Sequence, residues 1–100
     1  MTKSYKLSSE VKEDLRRIYR YGFEHWGEEQ ADKYYFSFYD CFDLIAEKPY
    51  MYQAVDFIRK GYRHCVCGSD TIYFRIDHDM VEIMNIIGQQ DLMLRARFKY

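Results

Sequence analysis

The sequence predicts an α+β domain. Its parts are an N-terminal strand, an antiparallel helical hairpin and a mostly antiparallel sheet of three to four strands, in the order β-α-α-β-β-β. Three observations predict it. Two consecutive stretches, 9–26 and 28–48, repeat their apolar residues every three or four positions, with only Gly27 between them. Residues 71–77 alternate, with Ile72, Phe74 and Ile76 on one side and Thr71, Tyr73, Arg75 and Asp77 on the other, the period of a sheet with one buried face. Gly68-Ser69 separates that run from a second extended run at 62–67, and a leading Gly suits the first central position of a type II′ hairpin turn.

Each element has its own signal. Lys3 to Leu7 alternates, with Tyr5 and Leu7 together, and reads as a short first strand. Ser8 or Ser9 offers an N-cap hydroxyl, and Glu10 and Glu13 place negative charge in the first turn of helix one, which runs to about Trp26. Its apolar stripe is Val11, Leu15, Ile18, Gly22 and Trp26, flanked by Tyr19 and Phe23. A helical glycine costs about 1 kcal/mol against alanine. Gly22 lies on the stripe, so close approach of a second helix is the expected reason. Gly27 ends the helix. Glu28 and Glu29 open helix two, whose stripe is Ala31, Tyr34 or Tyr35, Phe38, Cys41 or Phe42, and Ile45; Pro49 bars it from continuing. Tyr50 to Phe57 has no period and reads as a surface connection. After the hairpin, Asp77-His78-Asp79 forms a tight polar turn into Asp79–Ile87. There Val81, Ile83, Asn85 and Ile87 alternate with Met80, Glu82, Met84 and Ile86. Apolar residues on both faces mark a central strand, or one covered on its outer side. Asp91 to Phe98 has room for one or two helical turns.

One hundred residues make a single domain, 1–100, able to bury one core without disulfides or metal. Aromatic residues are abundant, with 11 Tyr and 7 Phe, and tyrosine suits both a core rim and a partner surface. A net charge of −1 argues against a protein whose main task is gripping phosphate backbones. Residues 1–48 carry 8 basic and 10 acidic side chains and residues 49–100 carry 7 and 6, so the basic surface falls weakly in the second half. Three cysteines without CxxC spacing fit a reduced, cytoplasmic setting; Cys65 and Cys67, two apart on a strand, face the same side. No signal peptide and no apolar run of the ~18–20 residues a membrane span needs is expected.

His25, His64 and His78 share no ligand spacing with each other or with the cysteines, so neither metal nor cofactor is expected. No Gly-rich loop resembles a phosphate cradle, and no carboxylate stands beside a candidate nucleophile. The one constellation with functional promise is the basic cluster of the hairpin: Arg59, Lys60, Arg63, His64 and Arg75. Arg63 and Arg75 lie on facing arms and are expected side by side on the exposed face. The cluster reads either as a solvated face paired with Asp70 and Asp77 or as a contact surface for an acidic protein or nucleic acid.

Four runs of residues carry a family resemblance. They are Trp26-Gly27-x-x-Gln30-Ala31-x-x-Tyr34, Ala46-Glu47-Lys48-Pro49, Ile58-Arg59-x-Gly61-Tyr62-Arg63 and Gly68-x-x-x-Ile72-Tyr73-Phe74-Arg75. Together, from about Tyr5 to Asp91, the chain resembles the ParE toxins of the RelE/ParE toxin–antitoxin superfamily. The resemblance implies a small cytoplasmic toxin of a type II system that inhibits DNA gyrase by binding. A ParD-like antitoxin, with a DNA-binding part and a wrapping C-terminal segment, would neutralise it. The toxin alone would bind no specific DNA sequence. Arg59, Arg63, Arg75, Tyr34 and Tyr73 are the expected antitoxin contacts, matching an amphipathic acidic segment. Leu92, Leu94, Arg95, Arg97 and Phe98 are the expected target contacts, because the family's C-terminal part is implicated in toxicity. The alternative is the RelE branch, a ribosome-dependent mRNA endonuclease, for which Arg63, His64, Arg75, Arg95 and Tyr100 would supply general acid–base and phosphate-binding groups. The chain departs from many ParE-like sequences at Asn85 and Gly88, where an Arg and then a His are common, and in its tail.

Overall fold

Ser8 joins the first strand to the first helix and to the middle of the sheet. Its Oγ accepts from the Val11 N–H at 2.9 Å and donates to the Met84 carbonyl at 2.7 Å, while its own N–H reaches the Ile83 carbonyl at 3.0 Å. The computed structural model describes residues 4–88. Its elements are β1 (Tyr5–Leu7), α1 (Ser9–Trp26), α2 (Glu28–Glu47), a 3₁₀ turn (Pro49–Met51), β2 (Tyr62–Cys67), β3 (Asp70–Asp77) and β4 (Met80–Gly88). The sheet is four-stranded and mixed, in the order β1-β4-β3-β2, with β1 parallel to β4 and the other pairs antiparallel. The α+β order predicted from the sequence is the order observed. The tail from residue 89, with the predicted contacts Leu92, Leu94, Arg95, Arg97 and Phe98, lies outside the described residues.

Gly27 makes the tight helical hairpin. At φ +89° it donates to the Phe23 carbonyl at 3.2 Å, closing α1, and accepts from the Ala31 N–H at 3.0 Å, opening α2. Gly22 lets the helices meet: a Cβ there would stand 3.4 Å from the Ala31 Cβ and 3.3 Å from the Trp26 ring. The hairpin packs on one face of the sheet. Val11, Leu15 and Ile18 of α1 and Phe38, Phe42 and Ile45 of α2 meet Ile72, Phe74, Val81, Ile83 and Ile86. Each such side chain contributes about 1.5–3 kcal/mol on burial. Trp26, expected on the buried stripe, is 52% exposed: it is the last residue of α1, and its ring stands edge-on to Tyr21 and Tyr34.

β4 carries the main departure from strict alternation. Tyr73 pairs with Asn85 but Phe74 pairs with Ile83, so Met84 is an extra residue in a β-bulge. The bulge reverses the phase. Val81, Ile83 and Ile86 face the helices, while Met84 and Ile87 join Val55, Ile58, Tyr62 and Tyr73 in a second, smaller core on the outer face. The expected grouping of Val81 and Ile83 with Asn85 and Ile87 therefore fails after Ile83. The outer cover is the 52–61 connection, which is not purely a surface segment. Val55 is fully buried and its N–H reaches the Tyr62 carbonyl at 2.7 Å, while Tyr52, at the start of the connection, packs its ring against Phe74 of the helix-facing core.

β1 spans only Val81–Ile83 of its neighbour, and side chains of α1 take over where it stops. Buried Asp14 accepts from the Ile86 N–H at 2.9 Å, and Arg17 donates to the Ile86 carbonyl at 3.3 Å. Two helical side chains thus serve the backbone groups that a longer first strand would serve.

Candidate functional site

The hairpin's two-residue loop fixes which arginines share a face. Gly68 has φ +63° and Ser69 an ordinary φ, the sign pattern of the expected turn. Register then pairs Arg63 with Phe74, and Tyr62 with Arg75. Cross-strand partners point the same way, so Arg63 faces the helical side and Arg75 the outer side. The expectation that they stand side by side is corrected. Arg63 donates to the Tyr52 carbonyl at 2.6 Å and lies 5.2 Å from the Tyr50 ring centroid, which ties the 3₁₀ turn to β2. On the outer face, Arg75 donates to Glu82 at 2.8 Å across β3 and β4, and Arg59 lies over the Tyr62 ring at 5.6 Å. Tyr73, expected as an exposed ring, is 3% exposed within the outer core. His64 is on the outer face opposite Tyr73, so Arg63, His64 and Arg75 do not converge on one point.

Tyr34 has a structural task. Its hydroxyl donates to Asp70 at 2.6 Å and accepts from the Ser69 N–H at 3.1 Å, and its ring stands edge-on to Phe38 and Trp26. It docks α2 on the hairpin turn so closely that a Cβ on Gly68 would come within 2.6 Å of its ring. Gly68 is therefore fixed twice, by backbone conformation and by space. Burial, then the hydrogen bond to Asp70, pushes the Tyr34 hydroxyl up to about 12. A raised tyrosine contributes stability that is complete below its unfolded pKa of ~10 and is lost as pH rises through the folded value. Tyr34→Phe is expected to cost about 1–2 kcal/mol in urea unfolding at pH 7. The cost should shrink between pH ~10 and ~12; an unchanged cost across that window would separate the hydrogen bond from the titration.

A second surface was not singled out in the sequence. Arg16, Tyr19, Arg20, Phe23 and Glu24 of α1 and Asp32, Tyr35 and Phe36 of α2 line a groove of about 570 Å³. Phe23 is 50% exposed and Phe36 61%. The Tyr19 hydroxyl donates to Asp32 at 2.7 Å, which pushes that phenol up, and the Tyr19 ring meets Tyr35 edge-on. The groove is aromatic and flanked by two arginines. Its signal was present: residues 16, 19, 20 and 23, and again 32, 35 and 36, follow helical spacing on faces beside the core stripes. Among the described residues, no group of three or more His, Cys, Asp or Glu is placed to hold a metal ion, and no helix is long and apolar enough to cross a membrane.

Residues 5–93 match the model of the family described as the ParE toxin of type II toxin–antitoxin system, parDE. The chain belongs to the ParE toxin family. Toxin ParE1 of Caulobacter vibrioides is 38% identical over 87 residues, covering 87% of this chain and 90% of that protein. Toxin ParE1 of Mycobacterium tuberculosis is 29% identical over 91 residues, covering 90% and 93%. The fold is also that of a chain in the chromosomal ParDE TA system from P. aeruginosa, with TM-score 0.77 at 18% identity over 87% of this chain and 96% of that one. A conserved hypothetical protein from Helicobacter pylori shares it more loosely, with TM-score 0.54 at 16% identity over 92% and 99%. In this ParE-family chain the four family runs fall at structural joints. The first spans the helical hairpin and ends at Tyr34, the second closes α2, and the last two build the β2–β3 hairpin. An antitoxin partner follows from the family.

Proposed function

We propose that this chain is a toxin that inhibits DNA gyrase by binding it, and that a ParD-like antitoxin neutralises it, in the cytoplasm. The family match across residues 5–93 carries the reading. The groove between α1 and α2 supplies a capture surface. An amphipathic antitoxin segment would set apolar side chains on Phe23, Tyr35 and Phe36 and carboxylates near Arg16 and Arg20. Arg59 and Arg75, both exposed on the outer face, are a second contact region that the same wrapping segment would reach. Arg63, engaged with Tyr52 and Tyr50, and Tyr73, buried in the outer core, are given structural tasks instead. The gyrase contact is assigned to Leu92, Leu94, Arg95, Arg97 and Phe98.

A supercoiling assay with purified gyrase tests the target. Stoichiometric protein should block supercoiling and yield linear DNA, and added antitoxin should restore activity. Neither effect at stoichiometric protein would sink the gyrase reading. Primer extension on translated mRNA separates the RelE-type alternative, since codon-linked cuts on induction belong to an endonuclease alone.

A further inference from the structure

All three cysteines meet at one place, where α2 crosses the edge strand. Cys65 and Cys67 project from β2 toward the helices, paired across to Ile72 and Asp70. Cys41 comes from α2, and its Sγ lies 2.7 Å from the Sγ of Cys67, about 0.7 Å beyond a bonded S–S distance of ~2.05 Å. The Cys65 thiol donates to the Val66 carbonyl of its own strand at 3.7 Å and also bears on the Cys41 sulfur, but the 2.7 Å approach is that of Cys67. The main-chain carbonyl of Ser37, one turn before Cys41, accepts from the Cys67 thiol at 3.7 Å. All three are free thiols. Burial pushes each of them up, Cys67 to about 12, so the site rests protonated at neutral pH.

We propose that Cys41 and Cys67 form an oxidation-dependent intramolecular disulfide that locks α2 to β2, with a low-molecular-weight disulfide as oxidant. The half-buried Cys41 loses its proton to solvent and, as the thiolate, attacks one sulfur of glutathione disulfide, releasing one glutathione thiolate that takes up a proton. The Cys67 sulfur then displaces the second glutathione from the mixed disulfide, losing its proton to solvent. The sum is two protein thiols and one glutathione disulfide giving one protein disulfide and two glutathione thiols. The bond closes a loop across 26 positions of sequence and spans helix to sheet. It restrains the unfolded chain far more than a link between neighbours on β2 would. Where a glutathione pool keeps thiols reduced, the pair stays open; on oxidation the toxin becomes harder to unfold and to proteolyse.

The test uses the full-length chain, treated with glutathione disulfide or diamide, then alkylated and mapped by mass spectrometry without reduction. The expected product is a monomer two hydrogens lighter, with one alkylatable thiol in place of three and Cys41 cross-linked to the peptide that holds both Cys65 and Cys67. Its melting temperature should rise and return to the starting value with dithiothreitol. Cys65→Ser should close the same bond, and Cys41→Ser should not. Three alkylatable thiols after oxidation, a cross-link that Cys65→Ser abolishes, or disulfide-linked dimers would each overturn the proposal. Mapping on the Cys65→Ser protein, where Cys67 is the one cysteine left on that peptide, decides the matter even where Cys67→Ser does not fold.

Discussion

Asp14→Ala is expected to lower unfolding stability by about 2–4 kcal/mol, a large share of the 5–15 kcal/mol typical of a small domain. Asp14 is 5% exposed, and it accepts from the backbone N–H of Ile86 beyond the point where β1 stops. Alanine leaves that N–H buried without its acceptor, and removes the anion 3.6 Å from the Arg17 guanidinium. Ile86 is fully buried and pairs with Ile72 just past the bulge, so the loss falls on the stretch where β4 must hold its reversed phase. Asp14→Asn keeps an acceptor oxygen and should cost less, about 1 kcal/mol. Urea unfolding of the three proteins checks this, with the slope against denaturant unchanged. Equal losses for Ala and Asn would mean that charge, and not the hydrogen bond to Ile86, is what Asp14 supplies.

The elements were legible because their signals are local. Ser8 caps, Gly27 turns and Pro49 stops wherever the rest of the chain goes, and the helices begin and end where those residues put them. The bulge at Met84 was not legible. It inserts one residue without a local marker, and only the burial of Ile86 beside Ile83 reveals it. The error over Arg63 and Arg75 is of another kind. Once Gly68-Ser69 is accepted as a two-residue loop, Cys67 must pair with Asp70, and counting back puts Arg63 against Phe74. The register is in the sequence, and it shows that two arginines on adjacent strands share a face only when one is an even number of residues from the position paired with the other. Tyr73 failed for a third reason. Its side of β3 reads as solvent-facing by alternation, but a connection without periodicity, anchored by Val55, folds over it.

The same distinction moves the expected antitoxin contact from sheet to helices. Arg63 lies 5.2 Å from a Tyr50 ring centroid and bonds to a backbone carbonyl, so replacing it disturbs the fold before it touches a partner. Phe23 and Phe36, by contrast, are 50% and 61% exposed, on a groove whose Tyr19–Asp32 bond keeps the two helices together without them. Substituting both by alanine is expected to weaken antitoxin binding by about 2–4 kcal/mol, roughly 30- to 1,000-fold, because aromatic anchors in a desolvated groove carry most of an interface's energy. The melting temperature of the free toxin should stay within about 2 °C, since neither ring is in a core. Arg16→Glu with Arg20→Glu should act differently. It should slow association and flatten its salt dependence, as rim charges do, more than it speeds dissociation. Calorimetry gives the affinity and stopped flow the rates. Unchanged affinity in the double-alanine protein would remove the groove from the antitoxin interface, leaving Arg59 and Arg75 on the outer face as the surface to test next.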